Sequence, residues 1–144
     1  MSMVLRGTYC LCISLRRALE LEIGALGMIG FDQGLYVYVG SALNGLEARV
    51  RRHLRTSRGD FRAIHWHIDY LLREPEVEIG GVYVLLSDLR EECRIAGEIL
   101  KLGTSVKGFG CSDCRCESHL FRVDSCDVLS RLGLDNVSLT EFLD

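Results

Sequence analysis

The stretch YVYVGSALNGLEARVRRH, Tyr36 to His53, constrains the fold more tightly than any other part of the chain. Its first residues are aromatic and β-branched and read as a strand ending at Gly40. Asn44 then begins a helix, with Glu47 three residues on as in a capping box. Leu46, Val50 and Leu54 recur every four residues and mark the face that packs on the sheet. A strand running into an amphipathic helix calls for a layered α/β or α+β domain. GTYCLCISL at 7–15 reads as a strand, and ALELEIGALGMIGFDQG as strand and turn material punctuated by glycine. HWHIDYLLRE is a second helix, stopped by Pro75. GGVYVLL is another strand, and Asp88 with Glu91 caps a third helix running to about Lys101. HLFRV is a short strand, followed by one or two helical turns. Residues 1–144 are expected to form one domain, with 108–144 as a cysteine-rich C-terminal extension of it.

Several polar residues fall where apolar ones belong. With Leu46 at zero, Arg49 and His53 lie at about −60° and −20° around the first helix, bordering its buried face. Arg51, Arg52 and Arg55 lie on the far side and are expected to be solvated. A cation and an imidazole one turn apart beside an apolar stripe need a partner or a site to face. On the third helix Leu89, Cys93, Ala96, Ile99 and Leu100 define an apolar arc, and Glu92 falls inside it. A carboxylate there needs a metal, a cation or a raised pKa. It either pairs with Arg49 as a structural salt bridge or binds metal opposite a catalytic arginine. Tyr9 and Tyr38 each stand near a glycine, in GTY and YVG, and can reach one cavity if their strands pair.

Composition sets limits on the partner. The net charge of −3 argues against a nucleic-acid ligand, but six arginines fall between Arg49 and Arg62 with Asp60 the only acid among them. The set includes Arg51, Arg52, Arg55 and Arg58, whose planar forks suit phosphate. A solvated helix face is the alternative. The N-terminal region lacks the pattern of a secretory leader, and no apolar run approaches the roughly 20 residues of a membrane span. These features predict a soluble cytoplasmic protein with no membrane partner.

GTY, YVG, an arginine on the following helix and a glutamate on a later one resemble the GIY-YIG nuclease superfamily. The combination of YVYVGSALNGLEARVRRH, HWHIDYLL, the Glu92-Cys93 pair and GFGCSDCRCESHLF resembles DUF123, an uncharacterised and largely archaeal family grouped with GIY-YIG domains. The likeness spans Arg6 to Phe121. It implies a small antiparallel sheet of about three main strands flanked by helices, and metal-dependent hydrolysis of nucleic-acid phosphodiesters, DNA more than RNA, in repair or defence. By position it assigns Tyr9, Tyr38, Arg49 and His53 to the catalytic set. It makes Glu92 the ligand of Mg²⁺ or Mn²⁺. Thr8 replaces the isoleucine of the first motif, and Ser41 stands where many members carry a cation. Twenty-eight residues separate Tyr9 from Tyr38, which implies an inserted hairpin such as LELEIGALGMIGF.

Two further segments stay open. Seven cysteines, an odd number, fit reduced thiols or metal ligation better than a closed disulfide framework. Cys111, Cys114, Cys116 and His119 can complete a tetrahedral zinc shell, remain free thiols, or form a redox-labile disulfide. His65 and Asp69, four apart, are expected to share a helix face and hydrogen-bond, with Trp66 and Tyr70 either structural or available to stack on bases. The alternatives to a nuclease are a noncatalytic nucleic-acid-binding or zinc-stabilised accessory module and a thiol-based redox domain. Small size and one basic helix also suggest recruitment by a protein partner.

Overall fold

The computed structural model describes residues 5–60, 62–111 and 116–142. Its centre is β1 (Gly7–Leu15), antiparallel to β4 (Gly34–Ala42) on one side and to β5 (Val77–Leu86) on the other. The alternation of GTYCLCISL sends Tyr9, Leu11 and Ile13 to one face and Cys10 to the other, and both faces are buried. Coverage on both sides explains why the strand lacks the polar half of a surface strand.

The sheet is wider than the expected three main strands. Short strands β6 (Thr104–Ser105), β7 (Leu120–Val123) and β8 (Asp135–Val137) extend it to six, in the order β6-β7-β4-β1-β5-β8, with every pairing antiparallel. The cysteine-rich C-terminal part therefore supplies strands to the main sheet. The expected inserted hairpin is present as a separate two-stranded sheet, β2 (Leu19–Glu22) with β3 (Met28–Phe31).

GGVYVLL is the second half of a longer strand. Cys12 of β1 faces Gly81, but Ile13 faces Ile79, so Gly80 is an extra residue in a bulge. The bulge resets the alternation and lets Ile79, Val82 and Val84 share one buried face.

On that face lie α1 (Leu46–Ser57) and α2 (His67–Leu72); Leu46, Val50, Leu54, Ile68 and Leu71 join Tyr9, Leu11 and Tyr38 in one core. Each fully buried aliphatic side chain of this kind contributes about 1.5–3 kcal/mol. On the opposite face α3 (Glu92–Leu100) and α4 (Val128–Arg131) pack Ile95, Ala96, Ile99 and Leu129 against Cys10, Val37 and Val39. The architecture is α+β, with a mainly antiparallel sheet and four helices among the described residues. None of these helices is long and apolar enough to cross a membrane.

The helix starts differ from expectation. Gly45, at φ +138, sets up α1 two residues after Asn44, and no side chain caps it. Only glycine adopts that angle without strain. The third helix begins at Glu92, without a side-chain cap, because Ser87 Oγ accepts from the Leu89 N–H and holds the preceding segment in a turn. Leu89 is consequently 68% exposed and outside the buried arc, which Ile95, Ala96 and Ile99 form; Cys93 and Leu100 are exposed as well. His65 precedes α2, and its backbone N–H, with that of Trp66, donates to Asp69 Oδ2.

Two disulfides among the described residues correct the expectation of reduced thiols. Cys12 of β1 joins Cys126 across 114 residues, and Cys93 of α3 joins Cys116. Cys10 is a buried free thiol.

Candidate functional site

The β1–β4 register places Tyr9 opposite Gly40. A Cβ on Gly40 would lie 2.4 Å from Tyr9 Cζ and Oη, so the YVG glycine is the space that the Tyr9 ring occupies. The GTY glycine has a similar reason: a Cβ on Gly7 would lie 2.2 Å from the Leu85 carbonyl oxygen. Tyr38, two residues before Gly40 on the same face, brings its ring centroid to 6.4 Å from that of Tyr9. The strand pairing thus joins the two phenols.

Helix α1 crosses this face and presents His53, fully buried, with Nε2 2.6 Å from the Tyr9 hydroxyl. Burial, with the Arg49 and Arg52 guanidiniums nearby, pushes His53 down to about 3. Burial, reinforced by Tyr38 and opposed by Arg49, raises the Tyr9 phenol well above its ordinary value. The proton therefore stays on Tyr9, which donates to Nε2. The imidazole proton is left on Nδ1, which has no hydrogen-bond partner among the described residues. Burial raises Tyr38 too, against the lowering effect of Arg49.

Beside the phenols opens a cavity of about 310 Å³ whose lining includes Tyr9, Tyr38, Arg49 and Glu92. These four come from β1, β4, α1 and α3, so only the tertiary fold brings them together. His53 does not line it, but packs behind Tyr9, Tyr38 and Trp66, which do. Arg49 donates to the Ser41 carbonyl at 3.2 Å and lies 4.4 Å over the Trp66 ring. Glu92 is 15% exposed in the first turn of α3 and pairs with Arg90 at 3.8 Å and His119 Nδ1 at 3.9 Å, rather than with Arg49. The structural salt bridge weighed from the sequence is not formed.

The arginine set divides. Arg55 and Arg58 are exposed. Arg51 donates to the Phe142 carbonyl at 3.0 Å, and Arg52 pairs with the buried Asp69 at 3.6 Å while lying 4.5 Å over Trp66. The expectation that Arg51 and Arg52 are solvated is corrected: α2 and the C-terminal segment cover them. Trp66, in contact with two guanidiniums, does not offer an open ring to a base, and Arg73 lies 5.6 Å from the Tyr70 ring.

The cysteine loop is regrouped. Cys114 lies outside the described residues. Cys116 and His119 come together with Cys93, their ligand atoms all within 4.8 Å of one another, a group that can hold a metal ion. Cys93 was missed as a candidate ligand; its position beside Glu92 was the available signal. Cys111 Sγ instead contacts the Phe109 carbonyl at 3.6 Å. Arg90 lines the cavity too, and nothing in the sequence pattern marks it, since it precedes α3 on an irregular segment.

No curated protein and no solved structure matches the chain. One family model does, over residues 8–137, from β1 to the end of β8, and it takes in every residue of the cavity named above. On that match the chain belongs to the DUF123 family, a domain of unknown function.

Proposed function

We propose that the chain is a GIY-YIG-type, divalent-metal-dependent phosphodiesterase that cuts nucleic acid, DNA in preference to RNA. The observation that carries this reading is the convergence of Tyr9, Tyr38, Arg49 and Glu92 on one cavity. A phosphodiester repels an attacking water and has a poor alkoxide leaving group, so its hydrolysis needs a cation on the phosphate, an oriented water and charge neutralisation.

Glu92 fits a hard cation. Its carboxylate faces the cavity, and its neighbours Arg90 and His119 stand 3.8 and 3.9 Å away, too far for hydrogen bonds that would consume its lone pairs. One carboxylate completed by water and substrate oxygens is a usual Mg²⁺ shell. Mg²⁺ or Mn²⁺ bound there supplies Lewis-acid stabilisation of the phosphate and leaving oxygen. Tyr9, its proton committed to His53, keeps a lone pair to accept from and aim the attacking water. His53 is a positioning residue. Tyr38 donates its hydroxyl to the substrate, and Arg49 neutralises charge gathering on the phosphate. Arg55 near the end of α1 and Arg58 just beyond it, both exposed, offer little affinity alone, and a protein partner supplies targeting. For the sulfur and imidazole group the cation we propose is Zn²⁺, the softer ion.

A second reading is favoured by charge: Arg49 and Arg90 outnumber Glu92 around the cavity, which suits phosphate binding without cleavage. Labelled single strands, duplexes, flaps, branched junctions and RNA, incubated with Mg²⁺ or Mn²⁺, separate the two. Hydrolysis predicts metal-dependent cutting that falls by about 10²-fold or more in both Glu92→Ala and Arg49→Ala. A salt-sensitive shift of DNA by wild type without any cutting would replace the enzyme with a binding module.

A further inference from the structure

The Cys93–Cys116 pair differs from the other disulfide in its surroundings. Cys93 is exposed on α3, Cys116 is half-buried, and both residues border a second cavity of about 240 Å³. Next to them stands His119, 4% exposed, its Nδ1 3.0 Å from the Val39 carbonyl. A carbonyl only accepts, so Nδ1 carries the proton, and in the neutral ring Nε2 holds the lone pair. A backbone acceptor on one imidazole nitrogen is the usual support for a metal on the other. No other group of three or more Cys, His, Asp or Glu side chains among the described residues brings its ligand atoms this close.

We infer that Cys93, Cys116 and His119 form a redox-gated site for a soft divalent cation, Zn²⁺ by ligand type, in which the metal and the Cys93–Cys116 disulfide exclude each other. The disulfide form has no thiolate to offer. A dithiol opens it by exchange: the S–S bond accepts two electrons and two protons, the dithiol becomes a disulfide, and Cys93 and Cys116 become thiols. Zn²⁺ then displaces the two thiol protons to solvent and takes two sulfurs and one imidazole nitrogen, leaving a fourth position for water. Because Cys93 follows Glu92 directly, occupancy ties down the same first turn of α3 that carries the carboxylate of the larger cavity. The inference does not depend on the phosphodiesterase reading, since its readouts are metal and thiol content.

The full chain is reduced with a phosphine, freed of reductant, and titrated with Zn²⁺ by calorimetry beside the oxidised chain; Co²⁺ in place of Zn²⁺ reports thiolate ligation through its charge-transfer absorption. The reduced chain takes up a single equivalent at this site and the oxidised chain does not. Cys93→Ser, at an exposed position, and separately Cys116→Ser each weaken uptake by about tenfold or more and reduce the thiolate signal, whereas Cys111→Ser leaves both unchanged. Zn²⁺ also slows reformation of the Cys93–Cys116 bond under mild oxidant, followed by mass spectrometry of alkylated peptides. Equal uptake by oxidised and reduced chains, uptake unaffected by Cys93→Ser and Cys116→Ser, no uptake at all, or reoxidation at the same rate with and without Zn²⁺ would each overturn it.

Discussion

The two faces of the sheet are covered in the same way, by a pair of helices, yet they bury different chemistry. The α3 and α4 face is mainly apolar, with Val37, Val39, Ile95, Ala96 and Ile99, clamped by Cys12–Cys126, and its one unpartnered polar group among the described residues is the buried Thr8 hydroxyl. The α1 and α2 face buries His53, Asp69 and Thr56 among its apolar residues and sets two tyrosines beside a cavity. Buried polar groups cost stability unless each finds a partner, and this face leaves His53 Nδ1 and Asp69 Oδ1 without one among the described residues. A face that gives up stability in this way at one end of a sheet is where a site is expected.

The largest effect expected from this contrast lies on the apolar face. Replacing both Cys12 and Cys126 with alanine removes a link across 114 residues and lowers stability by about 3–5 kcal/mol. Replacing Cys93 and Cys116 opens a loop of only 23 residues' separation and costs less, about 3.4 kcal/mol by loop entropy against about 4.8 for the longer loop. Urea unfolding under non-reducing conditions ranks the two; the reverse order would make the rim pair the structural clamp.

Next come the glycines. Gly40→Ala drives a methyl into the Tyr9 ring at 2.4 Å and is expected to destabilise by about 1–3 kcal/mol. Gly97→Ala, on the exposed side of α3 with no neighbour within 4 Å, is expected to stabilise by about 0.5–1 kcal/mol. Melting temperatures of the two variants should move in opposite directions. Two shifts of the same sign would remove the close-approach account of the YVG motif.

Acid stability offers a subtler contrast. His53 has a folded-state value near 3 against 6.5 when unfolded, so the unfolded chain takes up a proton that the folded chain cannot. The stability it permits is therefore present above about pH 6.5 and is lost as the pH falls towards 3. Comparing unfolding at pH 7 and pH 4.5, His53→Asn should lose less stability on acidification than wild type, whatever its absolute stability. Equal losses would mean that His53 is protonated in the folded chain.

What the sequence made legible was local. The strand and helix of Tyr36–His53 and the inward turn of Glu92 follow from periodicity over a few residues, and the inserted hairpin from setting the Tyr9–Tyr38 spacing against the family the chain resembles. Non-local layers were not legible. Arg51 and Arg52 do point away from the sheet, as their angles predict, but a second layer carrying Asp69, Trp66 and Phe142 meets them there. Strands β6 and β8, of two and three residues, are too short to carry a period. Arg90 sits on no regular element, and Cys93 reaches Cys116 only through the fold. At the site, Arg49 and Glu92 were found because each breaks the pattern of its helix, and Tyr9 and Tyr38 through the GTY and YVG likeness, whereas the place of His53 behind Tyr9, outside the cavity, needed the packing of α1.

The claim that the cavity at the polar end of the sheet serves a reaction is tested most directly by measuring cleavage rate and melting temperature together for Tyr38→Phe and Glu92→Gln, both close in shape to wild type. The account predicts that metal-dependent cleavage falls by about 10²-fold or more in each while the melting temperature holds or rises. Melting temperatures that drop sharply while cleavage of the folded protein continues at the wild-type rate would show that these groups hold the fold together and do no chemistry.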